Sequence, residues 1–119
     1  MRSLNCVDVA RRAELEPFTT KDGSQIREYL HTNAQSLAEA TLAPGQSTRR
    51  HYHAISEEIY LLVDGGGTME LDGEEREART DDAILIPPGA WHTLTAGPEG
   101  VRLLCCCVPP YHDDDTYLE

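Results

Sequence analysis

The sequence predicts an all-β fold, a sandwich or barrel of short strands. Three observations carry that expectation. Short apolar or alternating runs recur along the chain, and Gly and Pro punctuate them at close intervals. No long stretch repeats its apolar residues at the helical period. The chain has 119 residues, enough to bury a core, and is read as a single domain over 1–119.

The first sixteen residues mix charge with scattered apolar positions, and Asp8 to Leu15 is expected to make one or two helical turns before Pro17 ends them. Lys21-Asp22-Gly23-Ser24 reads as a turn. Ile26 to His31 alternates as a strand, and Ser36 to Leu42 as a second, with Pro44-Gly45 turning after it. A strand bearing His51 and His53 follows. Glu57 to Val63 is the strongest strand. Its apolar residues on both faces predict that both are covered, one by a barrel interior and the other by a second sheet or a partner subunit. Asp64-Gly65-Gly66-Gly67 is a hairpin signal, after which Thr68 to Leu71 returns and Asp72-Gly73 turns again. Short strands are expected around Arg76 and Ala78, over Ala83 to Ile86 until Pro87-Pro88-Gly89, and over Trp91 to Thr95. Gly97-Pro98-Glu99-Gly100 reads as a turn, and Val101 to Val108 as a last long strand stopped by Pro109-Pro110. The tail, residues 109–119, shows no core pattern.

The formal net charge of −11 disfavours nucleic acid and anionic lipid as partners. No apolar run reaches the roughly 20 residues of a membrane span, and the N-terminus lacks the apolar region of a signal peptide. The four cysteines, Cys6 and the run Cys105, Cys106, Cys107, contain no CxxC pair. Adjacent strand cysteines point to opposite faces and bridge poorly, so the thiols are read as reduced and the setting as cytoplasmic. Cys105 and Cys107 share one face and Cys106 takes the other, with packing as the plain reading of all three.

The chemistry concentrates between Gly45 and Gly65. His51 and His53, two apart on a strand, project together. Glu57 and Glu58 follow, and His92 comes after a second turn-bearing stretch, IPPGAWH. Three imidazoles and one carboxylate can hold iron, manganese, nickel, zinc or copper and leave positions open. Parity puts Arg49 on the ligand face, where it can hold a substrate carboxylate; a solvated strand-end charge is the plainer reading. Tyr60 shares the face of Glu58 and is the candidate proton donor, with barrel filling as the alternative. Trp91 is expected to pack on the face opposite His92, and His31 to be exposed.

These stretches resemble the cupin superfamily. Gly45, His51, His53, Glu58 and Gly65 match the first cupin motif at every spacing, and Pro87, Gly89 and His92 match the second. Asp81 stands where that second motif begins with Gly, and Ala96 where it ends with Asn. The resemblance covers about residues 36 to 108, and the chain also looks like the small single-domain bacterial cupins. It implies a jelly-roll barrel, or double-stranded β-helix, with one divalent transition metal inside, held by His51, His53, Glu58 and His92. The spacing to Gly65 selects Glu58 over Glu57. The resemblance also implies a metal-dependent enzyme on a small metabolite, a dioxygenase first, then an isomerase, lyase or cyclase. A non-catalytic module that binds or senses a sugar or small metabolite is the alternative. A homodimer paired through the outer sheet is expected.

Overall fold

The structure is a computed structural model, and it describes residues 7–119; Cys6 lies outside them. Nine strands form among the described residues: β1 (Phe18–Thr19), β2 (Gln25–His31), β3 (Ser36–Leu42), β4 (His51–His53), β5 (Glu57–Leu71), β6 (Glu74–Ala78), β7 (Ala83–Ile86), β8 (His92–Val108) and β9 (Thr116–Leu118). Two single 3-10 turns complete the described secondary structure, Arg12–Glu14 and Asp113–Asp115.

The long strands β5 and β8 run antiparallel beside each other from Glu57↔Val108 to Leu71↔His92. The last part of β8 also pairs with β3, which pairs with β2 and β1, while the first part of β5 pairs with β7. The other halves pair with β4 and β6, and β4 takes β9 on its far edge. One sheet thus curls into two facing layers that share β5 and β8, the jelly-roll barrel. Between the layers lie Leu62, Ile86, Leu94 and Leu103, all essentially buried. Each such side chain contributes roughly 1.5–3 kcal/mol when taken from water.

Several local expectations are corrected. Asp64–Gly67 is no hairpin, because β5 continues through it on the same partner. The pairing slips between Leu62 and Asp64 and again between Gly65 and Gly67, so the glycines bend a strand rather than reverse it. Gly65 has φ +75, and a Cβ there would stand 2.1 Å from the Gly100 carbonyl oxygen. Gly97–Gly100 is likewise a bulge within β8: Gly65 pairs with Val101 and Gly67 with Ala96, leaving those four residues opposite one. Thr68 to Leu71 is therefore the continuation of β5. The helical expectation over Asp8 to Leu15 shrinks to Arg12–Glu14, and β1 forms where no strand is expected.

The tail is also corrected. It packs as a 3-10 turn and β9, with Asp115 and Thr116 buried. Its order comes from edge pairing with β4, His53↔Thr116 and His51↔Leu118, which an apolar pattern does not report. The outer face of β5 is open in the single chain: Ile59 is 45% exposed and Leu61 39%, beside Leu85 at 56%.

Candidate metal centre

β4, β5 and the start of β8 bring His51, His53, Glu58 and His92 together, all buried, with one ligand atom of each lying within 4.8 Å of the others. Strand alternation does the placing. His51 and His53 flank Tyr52 on the inward face, and His51 pairs directly with His92 across the ladder. Glu58 is 2% exposed, whereas Glu57 faces solvent.

Each imidazole is held from behind by a backbone carbonyl. His51 Nδ1 lies 2.6 Å from Arg49 O, His92 Nδ1 2.9 Å from Ala90 O and His53 Nδ1 3.2 Å from Asp115 O. A carbonyl only accepts, so Nδ1 carries the proton and each Nε2 turns a lone pair inward. Glu58 Oε1 sits 3.0 Å from His53 Nε2 and 3.4 Å from His92 Nε2. Yet Glu58 Oε1 and His92 Nε2 make no hydrogen bond, although both are buried. Orphaned acceptors converging on one point are costly unless a cation completes them. The residues fit a divalent transition ion held by three imidazoles and one carboxylate.

The electrostatics agree. Burial alone would raise the Glu58 carboxyl, but His53 and His92 outweigh it and hold it well below the usual carboxylate range. Burial lowers His53, and the Glu58 carboxylate overrides this and raises it, as for a proton standing where a cation would. His51, buried and beside His92, is lowered.

The centre opens on a cavity of about 50 Å³ whose walls include Ile26, Ala38, Ala40, Leu103 and Tyr111. That volume admits a few waters or a small ligand. Tyr60 lines it, and burial with the Glu58 charge pushes its phenol well up, so it keeps its proton.

Arg49 is exposed and does not line the cavity. It precedes β4, so strand parity does not extend to it; its backbone accepts from His51 and donates to Asp22 O at 2.7 Å. Arg50 pairs with Glu70 and lies over Trp91, whose ring meets Tyr52 on the outer face as expected. His31 is exposed, against Glu28 and His112.

Sequence reading missed Asp22, taking it only as a turn residue. Its Oδ1 accepts from Thr20 Oγ1 at 2.7 Å, Ser24 N at 2.8 Å and Ser24 Oγ at 2.6 Å. Oδ2 is left pointing at the centre, 3.6 Å from His51 Nε2. The pattern Thr-x-Asp-x-Ser was the available signal for a pinned carboxylate, but nothing local says that the turn folds over the histidines.

The Cupin domain family model matches residues 38–107. Uncharacterized protein MJ1618 of Methanocaldococcus jannaschii is 45% identical over 111 residues, covering 88% of this chain and 89% of that protein. The dimethylsulfoniopropionate lyase DddW of Ruegeria pomeroyi is 41% identical over 66 residues, 56% of this chain; the match spans only 43% of DddW. Among solved structures, a protein from Planctomyces limnophilus superposes with TM-score 0.83 at 21% identity, covering 98% of this chain and all of that one.

Proposed function

The chain belongs to the cupin family, and from that premise we propose that it is a metal-dependent enzyme of the lyase or isomerase type, removing a proton from a small carbon acid. The carrying observation is Asp22: one oxygen is fixed by three hydrogen bonds and the other is left facing the centre. A dioxygenase, placed first by the motif resemblance, is the second reading, in which the same carboxylate would take a proton from a hydroxyl of the substrate. His51, His53, Glu58 and His92 would hold the ion. When bound, it supplies a Lewis acid that draws electron density from a carbonyl or carboxylate oxygen. Asp22 Oδ2 takes the proton from the neighbouring carbon. Tyr60 keeps its proton and offers it to an oxygen of the ligand. The apolar walls limit the ligand to a small molecule and keep water away from the transfer. The similarity to a lyase over 66 residues supports this class. We also propose that the chain folds as one domain and pairs as a homodimer through the outer face of β5 and β7. The free thiols of Cys105, Cys106 and Cys107 support a reducing, cytoplasmic setting.

The test incubates metal-reconstituted protein with a panel of small hydroxy, keto and sulfonio carboxylic acids in D2O under nitrogen, reading carbon-bound protons by NMR. Exchange or elimination that disappears in Asp22→Asn is the expected result. Oxygen-dependent turnover without exchange would restore the dioxygenase. Specific binding of a panel member with neither reaction would favour the sensing module.

A further inference from the structure

Behind Glu58 the cavity wall carries two thiols that the histidine centre does not use. Cys105 and Cys107 lie two apart on β8 and share its inward face. Cys107 pairs across the ladder with Glu58, and Cys105 with Tyr60. Glu58 divides its two oxygens between the two groups. Oε1 faces His53 and His92. Oε2 accepts from Cys105 Sγ at 2.9 Å and Cys107 Sγ at 3.3 Å.

The two sulfurs are 3.7 Å apart. A zinc–thiolate bond is about 2.3 Å, so two thiolates on one tetrahedral ion stand about 3.8 Å apart. The two thiols, in contact as they stand, are therefore already at the span of a bidentate thiolate clamp. That span is far longer than the roughly 2.05 Å of a disulfide. Thiolate sulfur selects thiophilic ions, among them the divalent ions zinc and cadmium.

We propose that Cys105 Sγ and Cys107 Sγ, with Glu58 Oε2 as a shared third ligand, form a second metal position for a thiophilic ion, joined to the histidine centre through the Glu58 carboxylate. The exchange balances. The two thiol protons leave to solvent as the ion arrives, and the two thiolates offset its double charge, so the cavity's net charge does not change. Without an ion both thiols carry a proton, since each donates to Glu58 Oε2. The site needs no enzymatic activity, so it stands or falls apart from the function proposed above.

The probe is cadmium, titrated into Cys6→Ser/Cys106→Ser protein so that only the two inward thiols remain. Bound cadmium is counted after dialysis, and the thiolate-to-cadmium charge-transfer absorption is read in the ultraviolet. The expected result is two ions per chain, one of them with the thiolate band. Adding Cys105→Ser/Cys107→Ser should remove the band and one ion. Adding His51→Ala/His92→Ala instead should remove the other ion and keep the band. Glu58→Gln should weaken the sulfur-bound ion at least tenfold; an unchanged affinity would remove the shared carboxylate. No thiolate band before the inward thiols are replaced, or a band that survives their replacement, would overturn the site. Cadmium-113 NMR of the unsubstituted protein gives a reading independent of variant folding. A resonance in the sulfur-ligated region is expected, and nitrogen- and oxygen-ligated resonances alone would overturn the proposal. A thiolate ion without a histidine-bound one would instead sink the histidine centre and leave this site standing.

Discussion

His53 Nδ1 meets the backbone carbonyl of Asp115 at 3.2 Å, so a residue of the C-terminal segment aims an imidazole of the central cluster. The same Asp115 spends its carboxylate on the turn after that histidine. Its oxygens accept from the backbone amides of Ala54 at 3.0 Å, Ile55 at 3.1 Å and Ser56 at 3.0 Å. One residue therefore anchors the loop and, through its carbonyl, the ring. Asp115→Ala should cost about 1–3 kcal/mol of stability, because buried amides lose their acceptor. It should also weaken metal binding about tenfold or more, as for other residues that orient a ligand from behind. Urea unfolding and a metal competition assay check both. Full metal affinity in the variant would mean that the tail does not position His53.

Asp22→Asn tests the proton-transfer role separately from the metal. The amide oxygen can still accept from Thr20 and Ser24, so the turn should persist. Metal content should stay at the unsubstituted level while proton exchange into ligand falls about 10²–10⁴-fold, the usual worth of a positioned base. Loss of metal instead would make Asp22 a ligand rather than a base.

Glu39 predicts the acid limb of stability. It is 1% exposed on the outward side of β3, with Arg12 Nε at 2.8 Å and Arg102 Nη1 at 3.2 Å. Burial pushes its carboxyl up, but the bonds from Arg12 and Arg102 outweigh it and leave it lowered. A lowered folded value means that the unfolded chain takes up a proton first as pH falls. The stabilisation is therefore complete above the ordinary carboxylate value of about 4.3 and is lost as pH drops through the folded value. Glu39→Gln should cost about 1–3 kcal/mol at pH 7, with the gap to unsubstituted protein closing below about pH 4. Urea melts at a series of pH values test this; a gap constant down to pH 3 would contradict it.

The open face of β5 and β7 predicts association. Ile59, Leu61 and Leu85 form a contiguous apolar strip, since Ile59 pairs directly with Leu85. Light scattering at micromolar concentration should give a dimer. Ile59→Glu/Leu85→Glu should give a monomer with an unchanged metal site. A monomer before substitution would remove the proposal.

The clustering of the four candidate ligands was legible because it obeys short-range rules. His51 and His53 follow strand parity, and Glu58 and His92 sit at motif spacings; the structure brings all four together. The substitution at Asp81 was legible too, as it adopts φ 74 in place of the expected glycine. The illegible parts depend on pairing between distant segments. Gly65 reads locally as a reversal, yet β8 lies along both halves of β5 and turns it into a bend. Asp22 and Asp115 look like turn and tail residues until folding sets one over His51 and the other behind His53. Arg49 shows the opposite failure, since parity was extended one step beyond the strand that justified it.

The most direct test of the centre is elemental analysis of protein purified without an affinity tag, beside His51→Ala, Glu58→Ala and Glu57→Ala. One transition-metal ion per chain at the histidine centre is expected in the unsubstituted protein and in Glu57→Ala. That ion should be lost in His51→Ala and in Glu58→Ala. Absence of bound metal after reconstitution, or equal retention in all four proteins, would contradict the account.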